Sequence, residues 1–221
     1  MRKNHKYISY IFLKIIIDYI NLINYFRKMI MKDCFNFQLF HTNYKTKSYV
    51  LRYRKTNFLN SSNIIQKLWA QFGITYTNNY ISLQDIFENN KPIIVDIGFG
   101  SREYFVKKAE YYPNINFLGI EVYFPGILSN IKYANLYNIN NIKIINYDAI
   151  DVFLYMIPNK ILTMVQIFFP DPWPKRKHHK RRIITDVFIK LLSKKLMTNG
   201  IIYIKTDCLS YAYHIKKFFK I

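Results

Sequence analysis

The chain has 221 residues, with 33 Lys and Arg against 13 Asp and Glu, a formal charge of +20, 51% hydrophobic and 18% aromatic residues. This excludes an acidic solvating chain and a low-hydrophobicity disordered one, and 6 Gly with 7 Pro exclude a collagen-like or linker-rich architecture. The length suits one large domain, or one domain with a short extension. Cys34 and Cys208 make neither a disulfide framework nor a zinc site, and fit a reducing, cytoplasmic compartment. Ile, Asn, Lys, Tyr and Phe supply 121 of the 221 residues, all from A/T-rich codons, so part of the lysine excess reflects nucleotide bias. The placement of the charge says more. Residues 1–47 carry net +7, residues 96–171 net −1 and residues 172–221 net +11. This pattern suggests a ligand-holding core flanked by polyanion-binding surface.

In residues 7–31 the polar positions Lys14, Asp18, Asn21, Asn24 and Lys28 recur every three or four residues, which predicts an amphipathic helix. Lys14 and Asp18 interrupt the apolar run, so it is not a transmembrane span, and no small-residue cleavage site follows, so it is not a signal peptide. Residues 1–46 read as an N-terminal extension and residues 47–221 as the domain. From residue 93 the pattern changes. Apolar runs at 93–97, 115–120, 142–145, 164–169 and 201–205 read as five buried strands. Between and after them, 103–112, 126–137, 149–156, 182–197 and 209–219 read as helices. The alternation predicts an α/β fold with an open, parallel sheet wrapped by helices, whose ligands bind beyond the carboxyl ends of the strands.

After the first of these strands comes Asp96-Ile97-Gly98-Phe99-Gly100, where two glycines permit a tight turn and a close approach to a ligand. The third glycine of the dinucleotide fingerprint is missing. Glu121 follows the second strand at the spacing of a ribose-binding acid. Asp148, Asp171 and Asp207 follow the next three. Each acid alone reads as readily as a turn or cap residue, but five in register form an acidic rim. Such a rim disfavours a pyrophosphate, and with it a nicotinamide-dependent enzyme. It suits S-adenosylmethionine, whose hydroxyls and amine donate hydrogen bonds and whose sulfonium is cationic.

Residues 168–182, Phe-Phe-Pro-Asp-Pro-Trp-Pro-Lys-Arg-Lys-His-His-Lys-Arg-Arg, are the most distinctive segment. Three prolines stiffen a loop that presents Asp171 and the Trp173 ring, a pairing able to stack a base and accept from its edge. Lys175, Arg176, Lys180, Arg181 and Arg182 belong to a run suited to phosphates, although a basic run alone reads equally as a solvated face. His178 and His179 lack metal-site spacing, and no metal is expected.

At these residues the chain resembles the bacterial tRNA (guanine-N7)-methyltransferase family. The similarity runs from residue 47 onward and is strongest in Asp96–Gly100, Phe117–Val122, Tyr147-Asp148-Ala149 and residues 165–182. It implies a Rossmann-like class I fold, mostly parallel with helices on both faces. It also implies transfer of a methyl group from S-adenosylmethionine to N7 of a guanine in the tRNA variable loop, by a monomer or homodimer. Carried over residue by residue, it implies cofactor contacts at Asp96, Glu121, Asp148 and Asp171. It places substrate contacts at Lys175 and Asp207, and the active-site residue at Asp171, with Trp173 shaping the pocket. The family usually has Glu in place of Asp96 and Gly in place of Arg102, where a side chain would crowd the cofactor. It continues past the equivalent of residue 221 with two further strands, so the expectation is a sheet lacking its C-terminal strands, with an open edge beside the fifth. A catalytically weak or inactive tRNA-binding remnant is the alternative.

Overall fold

A computed structural model describes residues 13–16, 47–49 and 63–219. In chain order the elements are β1 (Leu13–Ile16), α1 (Asn63–Phe72), β2 (Gly73–Ile74), α2 (Leu83–Phe87), β3 (Ile93–Ile97), α3 (Tyr104–Tyr111), β4 (Asn116–Ile120) and α4 (Phe124–Leu136). There follow β5 (Ile142–Ile145), α5 (Ala149–Asp151), a π-helical turn (Val152–Met156), β6 (Leu162–Phe168), a 3-10 turn (Arg176–Arg181), α6 (Asp186–Lys195), β7 (Leu196–Lys205) and α7 (Leu209–Lys216). One sheet runs in the order β1-β7-β6-β3-β4-β5-β2, and all its pairings are parallel except β1 with β7.

The Ile- and Val-rich runs form strands because both faces of the sheet are covered, which rewards continuous apolar sequence. On one face Ile93, Val95 and Ile97 pack with Phe153, Phe188, Leu192 and Tyr211 of the elements that follow β5, β6 and β7. On the other, Ile94 and Phe117 pack with Phe72, Phe105, Val106, Ile127 and Ile131 of α1, α3 and α4. This is the doubly covered parallel sheet expected from the alternation of strands and helices. Because β2 to β7 all run the same way, the residues that follow their ends emerge at one rim.

The structure corrects several expectations. Leu13–Ile16 is a strand and not part of a helix. It pairs antiparallel with β7, Leu13 opposite Ile204 and Ile16 opposite Ile201, where edge amides and carbonyls seek partners. The edge beside the fifth predicted strand is therefore occupied. The rest of the helix expected over 7–31 lies outside the described residues. The helix expected over 182–197 begins only at Asp186, because Thr185 caps it by accepting the Phe188 amide at 3.2 Å. The preceding basic run forms its own 3-10 turn. Two helices and the two-residue strand β2, all before residue 88, add a sixth parallel strand that sequence periodicity did not mark. Among the described residues no helix is long and apolar enough to cross a membrane.

Candidate active site

The turn after β3 is built around two glycines with left-handed backbones, Gly98 at φ +72° and Gly100 at φ +69°. Among the described residues, nothing beyond the chain neighbours lies within 4 Å of where their side chains would start, so backbone freedom explains glycine here. Two other glycines serve by size. A Cβ on Gly119 would meet the Phe99 ring at 2.6 Å, and one on Gly126 would meet the Gly100 carbonyl at 2.7 Å. Those vacancies let Phe99 lie on the sheet, stacked on Phe105, and let α4 approach the turn.

Glu121 organises the turn. It is buried at 7% exposure, and its carboxylate accepts the amides of Gly100 at 2.8 Å, Val122 at 2.6 Å and Tyr123 at 2.8 Å. Asn130 donates to the Gly100 carbonyl at 3.3 Å and the Gly126 carbonyl at 2.9 Å. Asn146 donates to the Glu121 carbonyl at 2.8 Å. Neither asparagine was singled out in the sequence, because amide side chains that serve backbone carbonyls leave no spacing signature.

The five rim acids occupy different environments. Asp96 lies beneath the turn at 2% exposure, and burial pushes its carboxyl up to about 7, with the Lys108 ammonium opposing and Glu121 adding to the shift. Asp148 is half-buried and caps α5, accepting the Ile150 amide at 2.9 Å. Burial raises its carboxyl too, against the backbone hydrogen bonds and Lys47. Asp171 and Asp207 are exposed. Glu121 and Asp171 line one cleft of about 220 Å³ with Gly98, Ile97, Ile120, Val122 and Ile167. Asp207 and Arg102, both exposed, stand outside its lining.

The loop that carries Asp171 is held in an uncommon backbone. Phe169 at φ 51° and Trp173 at φ 43° are both left-handed without being glycine, a conformation that costs about 1–3 kcal/mol at each residue. The Phe169 amide donates to the Lys205 carbonyl at 2.8 Å, which ties the loop to the end of β7. Pro170 and Pro172 bracket Asp171 and fix the backbone on both sides.

Beyond it, Lys175, Arg176, Lys177 and Lys180 are exposed on the 3-10 turn or at its start. Arg182 departs from the expectation of a phosphate contact. It is 4% exposed, donates from Nε to the Pro172 carbonyl at 2.8 Å, and lies over the Tyr211 ring at 4.9 Å. Trp173 and Arg181 also turn inward. The Trp173 indole donates to the Ser48 carbonyl at 3.1 Å, and Arg181 donates to the Tyr49 carbonyl at 3.0 Å. The indole is thus committed to the protein and not presented as an open stacking surface. Ser48 and Tyr49 line the cleft themselves. Sequence reasoning did not assign them a role, since they lie 125 and 132 residues from their partners. Tyr147, also in the lining, stacks on Tyr76 with centroids 3.6 Å apart.

Residues 90–220 match the methyltransferase family Methyltransf_4. A tRNA (guanine-N(7)-)-methyltransferase of Buchnera aphidicola from Acyrthosiphon pisum is 50% identical over 151 residues, 68% of this chain. The chain spans 63% of that relative's length. The enzyme of the same name from the Baizongia pistaciae strain is 45% identical over 168 residues, 76% of this chain and 69% of the relative. That of Aliivibrio salmonicida is 38% identical over 151 residues, 68% of this chain and 63% of the relative. By this identity and coverage, together with a parallel sheet whose glycine turn and Pro-Asp-Pro-Trp loop share one rim, the chain belongs to the tRNA (guanine-N7)-methyltransferase family.

Proposed function

We propose that this chain uses S-adenosylmethionine to methylate N7 of a guanine in the variable loop of tRNA. The observation that carries the reading is one juxtaposition. A cleft whose described lining contains Glu121 and Asp171, and no Lys or Arg, opens beside the exposed basic turn at Lys175, Arg176 and Lys180. Carboxylates without cations fit a ligand that donates hydrogen bonds and carries positive charge, and they repel a pyrophosphate. Ile97, Ile120, Val122 and Ile167 offer an apolar wall to a flat base. The residues present therefore fit S-adenosylmethionine. Glu121 would hold it at the ribose, with Asp148, Gly98 and Gly100 around it and Asp96 supporting the turn from beneath.

The cofactor supplies an electrophilic methyl group on a sulfonium. Guanine N7 already has a lone pair and no proton, so no side chain of this protein has to act as a base. The protein's task is alignment and electrostatics. Asp171, fixed between two prolines at the mouth of the cleft, accepts hydrogen bonds from the guanine edge and offsets the positive charge that develops on the methylated ring. Lys175, Arg176 and Lys180 hold the tRNA backbone, and Asp207 contacts the substrate from the end of β7. Arg182 holds the loop by its bond to Pro172. The names of the three relatives support the same substrate and atom.

The test is tritium transfer from labelled S-adenosylmethionine to unmodified tRNA, with N7-methylguanine mapped by chemical cleavage. Label in the variable-loop guanine is the expected result. Failure to label tRNA by protein that binds the cofactor would sink the assignment.

A further inference from the structure

We infer that Trp173 and Arg181 form a latch that holds residues 47–49 as a strap over the cleft, and that this latch sets how tightly the cleft retains its small ligand. The inference rests on the cofactor reading of that cleft. Three contacts build the latch. The Trp173 indole donates to the Ser48 carbonyl at 3.1 Å, Arg181 donates to the Tyr49 carbonyl at 3.0 Å, and the Arg181 guanidinium lies on the Trp173 ring at 4.1 Å. Two adjacent carbonyls are thus gripped by two side chains that also grip each other.

The strap is part of the cleft, because Ser48 and Tyr49 line it together with Gly98, Glu121 and Asp171. Lys47 lies over the Tyr49 ring at 5.4 Å, and Asp148 adds a weaker favourable charge interaction with its ammonium. Release of the latch frees one wall of the cleft while the sheet stays intact.

Arg181 gives the latch a second consequence. It belongs to the 3-10 turn whose exposed members are proposed to hold tRNA phosphates, so one short element touches polyanion outside and strap inside. Ordering the turn from outside then fixes Arg181 and closes the strap. Binding of tRNA and binding of the cofactor favour one another through it, by a coupling that must be reciprocal. Trp173 and Arg181 are positioning residues on this view, and neither needs to touch a reacting atom.

The experiment compares wild-type protein with Trp173→Phe, which keeps the ring and loses the N–H donor, and with Arg181→Ala. S-Adenosylhomocysteine affinity is measured by calorimetry with and without unmodified tRNA, and hydrogen exchange of the peptide containing residues 47–49 is followed without ligand. The expected results are faster exchange in both variants and about tenfold weaker S-adenosylhomocysteine binding, with the tRNA-induced gain in affinity lost. In turnover, the loss falls on the KM for S-adenosylmethionine more than on kcat. Unchanged exchange at 47–49 in both variants overturns the latch whatever the cleft binds. Faster exchange with unchanged S-adenosylhomocysteine affinity overturns its role in retention. Wild-type protein that binds no S-adenosylhomocysteine overturns the cofactor reading first, and the retention role with it.

Discussion

Glu121 accepts the Gly100 amide at 2.8 Å, so the acid after β4 and the turn after β3 hold each other in place. The same carboxylate takes two more amides, those of Val122 and Tyr123. Replacing Glu121 by Ala leaves three donors to find water or go unpaired, at a cost of about 2–4 kcal/mol. Urea titration of Glu121→Ala should show that loss, and S-adenosylhomocysteine affinity should fall at least about tenfold. Native stability in the variant would mean that the turn holds its shape without the carboxylate.

Gly126 tests the same turn from the other side. A methyl group there would stand 2.7 Å from the Gly100 carbonyl, which is backbone and has nowhere to swing. Alanine inside a helix normally gains about 0.5–1 kcal/mol over glycine. In Gly126→Ala the clash should outweigh that gain and leave a net loss of about 1–2 kcal/mol. A rise in melting temperature would refute the close approach.

Asp96 predicts a pH dependence of stability. Its carboxyl ionises at about 7 in the folded protein because it is buried, whereas an aspartate in an unfolded chain does so at about 3.9. Between those values the unfolded state has released a proton that the folded state keeps. Stability is therefore favoured at low pH, falls as pH rises towards 7, and levels off above. The gap corresponds to about 4 kcal/mol at most. Asp96→Asn should match the wild type near pH 4 and melt higher at pH 8. An advantage that does not grow between those two values would rule out the assignment.

Asp171 is exposed and lines the cleft from the loop after β6. Asp171→Ala should reduce kcat by about 100-fold or more, the scale of losing one electrostatic contact to the transition state. S-Adenosylhomocysteine binding should stay within about threefold of wild type, since Glu121 and the glycine turn remain. Near-normal methyl transfer in a labelled-cofactor assay would remove Asp171 from the chemistry.

Lys175 and Lys180 should reveal themselves through salt. If each holds a phosphate, Lys175→Ala and Lys180→Ala weaken tRNA binding and each lowers the slope of log affinity against log salt by about 1. Arg182→Ala, by contrast, should act on stability, because its guanidinium is spent on Pro172 and Tyr211. A salt slope that drops for Arg182→Ala and not for Lys175→Ala would reverse these roles.

The strands that carry the rim were legible because burial on both faces writes itself as unbroken Ile, Val and Phe. The acids after them were legible because a parallel sheet sends each one to the same end. What stayed hidden has a common cause. Trp173 reads as an exposed stacking platform until its indole N–H is seen donating to the Ser48 carbonyl, 125 residues away in sequence. Arg182 reads as one more cation in a basic run until the Pro172 carbonyl claims it. Leu13–Ile16 reads as helix because polar residues recur at helical spacing, while the partner that makes it a strand, β7, is nearly two hundred residues downstream. Local pattern reports local preference, and these outcomes were decided by hydrogen bonds it does not mark: two to partners more than a hundred residues away, and one to a carbonyl ten residues back.

The left-handed backbones of Phe169 and Trp173 set a limit on how this protein can be improved. Each residue occupies a conformation that glycine or asparagine would adopt at lower cost, and the two stand on either side of Asp171. Selection for heat resistance would find ready gains at these two positions, and would collect them by slackening the loop that aims the carboxylate. Durability and turnover are thus opposed at two backbone angles, while the sheet beneath can be hardened without that conflict.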